Sequence, residues 1–222
     1  MKRVPRWQPV AAVAAVLLAV AGWRLPTDGA ETAPPPEHAA VEVVHAAPQA
    51  VVQGATLHPQ PSICDTPATA PFVPTWVSIA GITARSAVIA LPRDGYGIPS
   101  PLPLTETAKH EFAWDEQPSP MPGAAVGNVL MNTHTWPWGS APAMGNLLLE
   151  HLRAGDRIVV GGASAHLCYR VTKQVEIRAE QPYDAYYATD GPPQLAIMVC
   201  SGIRRGPGDW ANRMIWFASP EV

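Results

Sequence analysis

Three residues of this 222-residue chain have side chains that together could break an acyl bond: Cys200, His134 and Arg213. Cys200 closes the apolar run Leu195-Ala196-Ile197-Met198-Val199 and is followed by Ser201-Gly202, so a buried strand delivers its thiol to a turn. A thiol placed there faces a cleft rather than a core. His134 follows Val129-Leu130-Met131-Asn132-Thr133, and Arg213 opens the apolar stretch Met214-Ile215-Trp216-Phe217-Ala218. A thiol attacks only as thiolate, and reference pKa values of about 8.5 for Cys and about 6.5 for His leave the neutral pair dominant at pH 7 without help. Arg213 supplies a cation that cannot lose its proton, suited to a thiolate or to the oxyanion formed when a carbonyl is attacked. His134 can donate to a leaving amine when protonated and accept from an incoming nucleophile when neutral. Each residue alone also fits a bland role: a packed cysteine, a strand-end histidine, an arginine solvating an edge. The inference rests on the three together.

The elements that must position them are mostly strands. Val77–Ala80, Ser86–Leu91, Gly127–Asn132, Arg157–Val160, His166–Arg178, Gln194–Cys200 and Arg213–Ala218 are apolar or alternating runs bounded by Pro and Gly. In the long run, Leu167, Tyr169, Val171, Val175 and Ile177 fall on one face. Leu147, Leu148 and His151 recur at helical spacing and predict a helix over Met144–Arg153, with Gly155 able to end it. A further turn of helix is expected at Tyr183–Tyr187. Many short strands with irregular connections give a mainly β fold, a closed or nearly closed barrel with one or two short helices. The Gly-rich, doubly basic stretch Ser201–Trp210 reads either as a loop flexing over a groove or as an ordinary exposed connection.

Lys2, Arg3 and Arg6 precede an uncharged Ala/Val/Leu-rich run from Trp7 to Trp23, closed by Arg24. Residues 1–25 therefore read as a signal-anchor or a signal peptide, with the flanking tryptophans and Arg24 favouring the anchor. The basic side stays cytoplasmic, which predicts a single-pass protein of the cell membrane with the remainder outside. Residues 26–71 are rich in Pro, Ala, Glu and Thr and show no period, the signature of an extended tether. Residues 72–222, roughly 150 in number, suffice for one domain with a proper core. A net charge of −3 and few lysines argue against a nucleic-acid partner and leave a protein or peptide as the expected one. The seven histidines are scattered and no ligand spacing is present, so neither a metal nor a cofactor is expected.

An exported chain meets an oxidising compartment, and three cysteines leave at least one unpaired within the molecule. Cys168 shares its phase with His166, Arg170 and Thr172, opposite to the apolar face, and so points outward where the tether carrying Cys64 could pass. This predicts a Cys64–Cys168 disulfide and a free Cys200. The alternative is a half-buried free thiol at Cys168 and an idle or modified Cys64, since connectivity cannot be deduced from sequence alone.

With these residues in view, residues 72–222 resemble the sortases. The order is a central His134, a strand-end Cys200 and an Arg213 that opens the last strand some dozen residues later, behind a single N-terminal apolar segment. The segments Asn132–Trp136, Gly145–Leu148 leading to Ala154-Gly155-Asp156, Leu195–Cys200 and Asn212–Ala218 fall in the family's order. Among its subgroups the chain looks most like the class F sortases of actinobacteria. The family signature reads Thr-Leu-X-Thr-Cys; Ala196 and Val199 take the threonine positions here. The resemblance implies an eight-stranded barrel and a transpeptidase that cuts a Leu-Pro-X-Thr-Gly sorting signal between Thr and Gly. The thioacyl on Cys200 would pass to an amine acceptor of the cell envelope, with His134 and Arg213 assisting. Two rivals remain: an anchored non-catalytic β-domain that binds a cell-envelope partner, and a cysteine L,D-transpeptidase, whose Ser-His-Gly-Cys type of run is missing before Cys200.

Overall fold

The computed structural model describes residues 62–116, 119–137 and 141–221. The N-terminal segment and most of the expected tether lie outside them. Among the described residues, no helix is long and apolar enough to cross a membrane.

Eight strands close into a barrel in the order β1-β2-β3-β4-β7-β8-β6-β5. They are β1 Trp76–Ile79, β2 Thr83–Leu91, β3 Phe112–Asp115, β4 Asn128–Thr133, β5 Arg157–Gly161, β6 His166–Arg178, β7 Gln194–Gly206 and β8 Asp209–Pro220. Two pairings are parallel, β2 with β3 and β4 with β7; the rest are antiparallel. All eight strands send side chains into one interior cluster, including Val77, Val88, Phe112, Met131, Val160, Tyr169, Ile197 and Trp216. Helix α1, Met144–His151, joins that cluster through Met144 and Leu148, one turn apart on one face, and Leu152 just past its end joins it too. The buried face thus differs from the expected Leu147, Leu148 and His151. The helix also ends before Arg153: Leu152 is already extended, and Gly155, at φ +90°, serves the following turn into β5.

The expected turn at Tyr183–Tyr187 is a short 3-10 helix at Asp184–Tyr186. It matters because Tyr183 and Tyr186 cover a second cluster on the outer surface of the barrel, made by Leu130 of β4, Ala196 and Met198 of β7, and Ile215 and Phe217 of β8. Alternation along each strand therefore separates two buried sets. On β7 the odd residues Leu195, Ile197 and Val199 enter the interior, and the even ones face out. Both positions that depart from the family signature are packing positions: Ala196 lies in the outer cluster and Val199 in the interior.

Two further expectations need correction, and one strand is an addition. The apolar set of β6 does not share one face. Opposite β8, Val171 pairs with Ala218 and Lys173 with Phe217, so Thr172 is an extra residue and the phase inverts there. Leu167, Tyr169 and Val171 point inward, whereas Val175 and Ile177 pack on the outer cluster. Ser201–Trp210 is not a loop: β7 and β8 continue as a hairpin beyond Cys200, turning at Pro207-Gly208. β3 was not anticipated, because its apolar core is only Phe112-Ala113-Trp114 between charged residues. Asp115 can be buried at its end because Arg93 grips it, with Nε 2.9 Å and Nη2 2.7 Å from Oδ2, and Ser119 Oγ donates at 2.8 Å.

The Cys64–Cys168 disulfide is present, with the Cα atoms 5.7 Å apart. Cys168 has the outward phase expected of it, yet only 1% of its surface is exposed. The 3-10 turn Ile63–Asp65 covers it, and Ala68 N–H donates to His166 O at 2.8 Å beside it.

Candidate active site

Strand register brings the three chemical residues into one row. β4 and β7 run parallel with Asn132 opposite Met198 and Thr133 opposite Val199, so the next pair in sequence is His134 and Cys200. β7 and β8 run antiparallel with Cys200 directly opposite Arg213. Neighbouring strands lie about 5 Å apart. Phase completes the arrangement. Cys200 shares parity with Ala196 and Met198, Arg213 with Ile215 and Phe217, and His134 with Leu130, all members of the outer cluster. The three side chains therefore leave the same face of three adjacent strands. They line one cavity of about 570 Å³. Cys200 is half-buried and is the free cysteine of the described residues.

The backbone after β4 is pinned from several sides. His134 O accepts from Gly145 N–H at 2.8 Å, at the first turn of α1. A side chain at Gly145 would put its Cβ 2.5 Å from that oxygen, so only glycine permits the approach. Thr135 Oγ1 donates to Cys200 O at 2.6 Å, tying the histidine segment directly to the strand that carries the free cysteine. Asn146 holds Trp136 at both backbone groups: Oδ1 accepts from Trp136 N–H and Nδ2 donates to Trp136 O, each at 2.9 Å. The imidazole is fixed as well. Its Nε2–H donates to Leu102 O at 2.7 Å, and because a carbonyl can only accept, the proton sits on Nε2. Nδ1 is then left for proton transfer. Leu102 belongs to the β2–β3 connection, which is also held at Ser100 O by Asn132 Nδ2 at 3.1 Å.

Arg213 Nη1 donates to Trp210 O at 3.2 Å and to Asn212 O at 2.9 Å, leaving Nε and Nη2 to meet a developing charge. Its charge lowers the Cys200 pKa, but burial acts more strongly, and the thiol is pushed above its ordinary range. Arg213 thus offsets only part of the effect of burial on this thiol. The cavity wall is largely apolar, with Ile98, Leu102, Leu104, Tyr187 and Trp210 among its residues.

Sequence reading found Cys200, His134 and Arg213, and the structure gathers all three. It missed Leu102, Thr135 and Asn146, which act through backbone contacts that carry no sequence periodicity. Thr135 was within reach, as the neighbour of a candidate histidine.

No protein-family model matches the chain, and no curated protein matches it. Solved structures do. Sortase A from Corynebacterium diphtheriae, as a lid mutant, superposes with a TM-score of 0.50 at 18% identity, covering 68% of this chain and 72% of that one. Pilus-related sortase C of Group B Streptococcus gives 0.50 at 13% identity, covering 67% of each chain. At such identities the likeness is one of fold: this domain has the sortase fold, and its eight-stranded barrel with one α-helix agrees with what the sequence led us to expect.

Proposed function

We propose that the chain is a sortase-type cysteine transpeptidase of the class F pattern, with Cys200 as nucleophile, His134 as proton carrier and Arg213 as oxyanion partner. The observation that carries this reading is the row formed by these residues just past the end of β4 and on β7 and β8, opening into one apolar cavity. The substrate is a sorting-signal peptide of a secreted protein, of the Leu-Pro-X-Thr-Gly kind, and the acceptor an amine of the cell envelope. Residues 1–25 hold the chain in the cell membrane, residues 26–71 act as a tether, and the domain of residues 72–222 works outside.

The chemistry follows from the geometry. As the Cys200 sulfur adds to the Thr carbonyl carbon, its proton passes to His134 Nδ1 and the carbonyl oxygen takes the electron pair, facing Arg213. The Leu102 carbonyl accepts from Nε2–H throughout and favours the imidazolium so formed. Collapse of the intermediate breaks the Thr–Gly bond; the glycine amine takes the proton from His134 and leaves a thioacyl on Cys200. An incoming amine attacks that carbonyl and loses a proton to His134, and the proton returns to the departing sulfur. The apolar wall excludes water, which favours the amine over hydrolysis.

Purified full-length protein incubated with such a peptide should gain the mass of its acyl portion through Thr, and an added amine should discharge it. A protein that forms no adduct across a panel of sorting peptides would be a binding domain instead.

A further inference from the structure

Two arginines stand side by side near the tip of the β7–β8 hairpin, and their surroundings differ completely. Arg205 is neutralised: its Nη2 donates to Glu180 Oε1 at 2.6 Å and lies 3.0 Å from Asp209 Oδ1. Arg204 lines the cavity that holds Cys200, and its guanidinium has no hydrogen bond or ion pair among the described residues. Register irregularities flank Arg204, between Ser201 and Arg204 and between Arg204 and Gly206. Bulges of this kind re-aim a side chain and are common next to active sites. No aspartate or glutamate lines the cavity among the described residues, whereas Arg204 and Arg213 both do. The Tyr186 hydroxyl donates to Met131 O and burial keeps it neutral, so it adds no charge. An apolar cavity with two permanent cations and no fixed anion concentrates negative charge.

We propose that Arg204 is a specificity-determining residue that selects a substrate bearing a carboxylate beyond the reacting centre. This rests on the transpeptidase reading above. Arg204 lies four steps of strand beyond Cys200, about 13 Å at roughly 3.3 Å per residue. An arginine reaches back about 6 Å, so the carboxylate lies some two to four residues from the scissile carbonyl. Two sources share this chemistry: an acidic side chain of the sorting peptide, or the carboxylate of the amine acceptor. Arg213 is committed to the oxyanion, which leaves Arg204 as the guanidinium free to form a forked pair.

The test has two arms, run with full-length protein, Arg204→Gln and Arg205→Gln. One compares donor peptides carrying Glu or Gln two to four residues from the scissile bond; the other compares triglycine with its amide as acceptor. In one arm the carboxylate form should be preferred by about five- to tenfold in kcat/KM, the preference shrinking as salt rises. It should fall within twofold in Arg204→Gln and persist in Arg205→Gln. The arm that responds identifies the source. No preference in either arm, a preference that survives Arg204→Gln, or equal loss in Arg205→Gln would each overturn the proposal. Equilibrium binding of the same labelled peptides and acceptors to Cys200→Ala protein needs no turnover. If no peptide is processed at all, the transpeptidase reading fails. A carboxylate preference in binding that disappears in Cys200→Ala/Arg204→Gln would still support the role of Arg204, and its absence would refute it.

Discussion

Cys168 on β6 and Cys200 on β7 both point away from the barrel interior, yet one is sealed and bonded while the other opens into a cavity. Around Cys168, a 3-10 turn from the beginning of the described chain lies over the strand and contributes the partner sulfur. Around Cys200, the β2–β3 connection and the β7–β8 hairpin stand back and leave space between them. Strand phase decides which face a thiol takes; what lies across that face decides whether the thiol can react.

The sharpest way to break this comparison is to remove the sulfur that opens into the cavity. Cys200→Ala should abolish the peptide adduct in intact-mass spectra while the Cys64–Cys168 bridge stays intact; an adduct that persists would move the nucleophile elsewhere. Arg213→Lys should fold normally and lose about 10²- to 10³-fold in kcat/KM, since an ammonium cannot reproduce the planar fork that serves both Trp210 O and a developing oxyanion. Near-parental turnover would dismiss the oxyanion role. On the other side, Cys64→Ala/Cys168→Ala should cost about 2 to 5 kcal/mol in denaturant unfolding, because the bridge closes a loop of sequence separation 104. The same double variant should still label at Cys200, which would keep the two sulfurs functionally separate.

The smallest effect is one of pH. Burial raises the Cys200 thiol above its usual range and Arg213 pulls the other way. Alkylation of free protein should therefore speed up as pH rises, with a midpoint above the ordinary thiol value of about 8.5. Arg213→Ala, which removes the opposing charge, should move that midpoint higher still; a midpoint that falls would reverse the assigned sign.

Much of this was legible in the chain because strands of period two announce their faces. The run ending at Cys200 and the one opening at Arg213 fixed two neighbours in the site, and the phase of Cys168 pointed to its bridge. What stayed hidden depended on events that composition does not record. The extra residue at Thr172 inverted the second half of β6, and Asp115 entered the core only because Arg93, 22 positions away, neutralises it. The hairpin beyond Cys200 looked like a loop because Gly202, Gly206 and Gly208 are poor strand formers. The balance of effects on the thiol stayed hidden for a related reason. Burial is a property of the assembled cavity, and here it outweighs the nearby guanidinium.

The bridge at Cys168 also settles where tension on the upstream chain would be borne. A pull from before Ser62 enters the domain in the thirteen-residue β6, whose Cys168 is paired to Val159 on one side and accepts from Glu221 N–H on the other. Trp76–Ile79, a strand of four residues, is spared the role of first stave to be pried loose. The barrel is thus gripped through a covalent rivet in its wall rather than by its shortest stave.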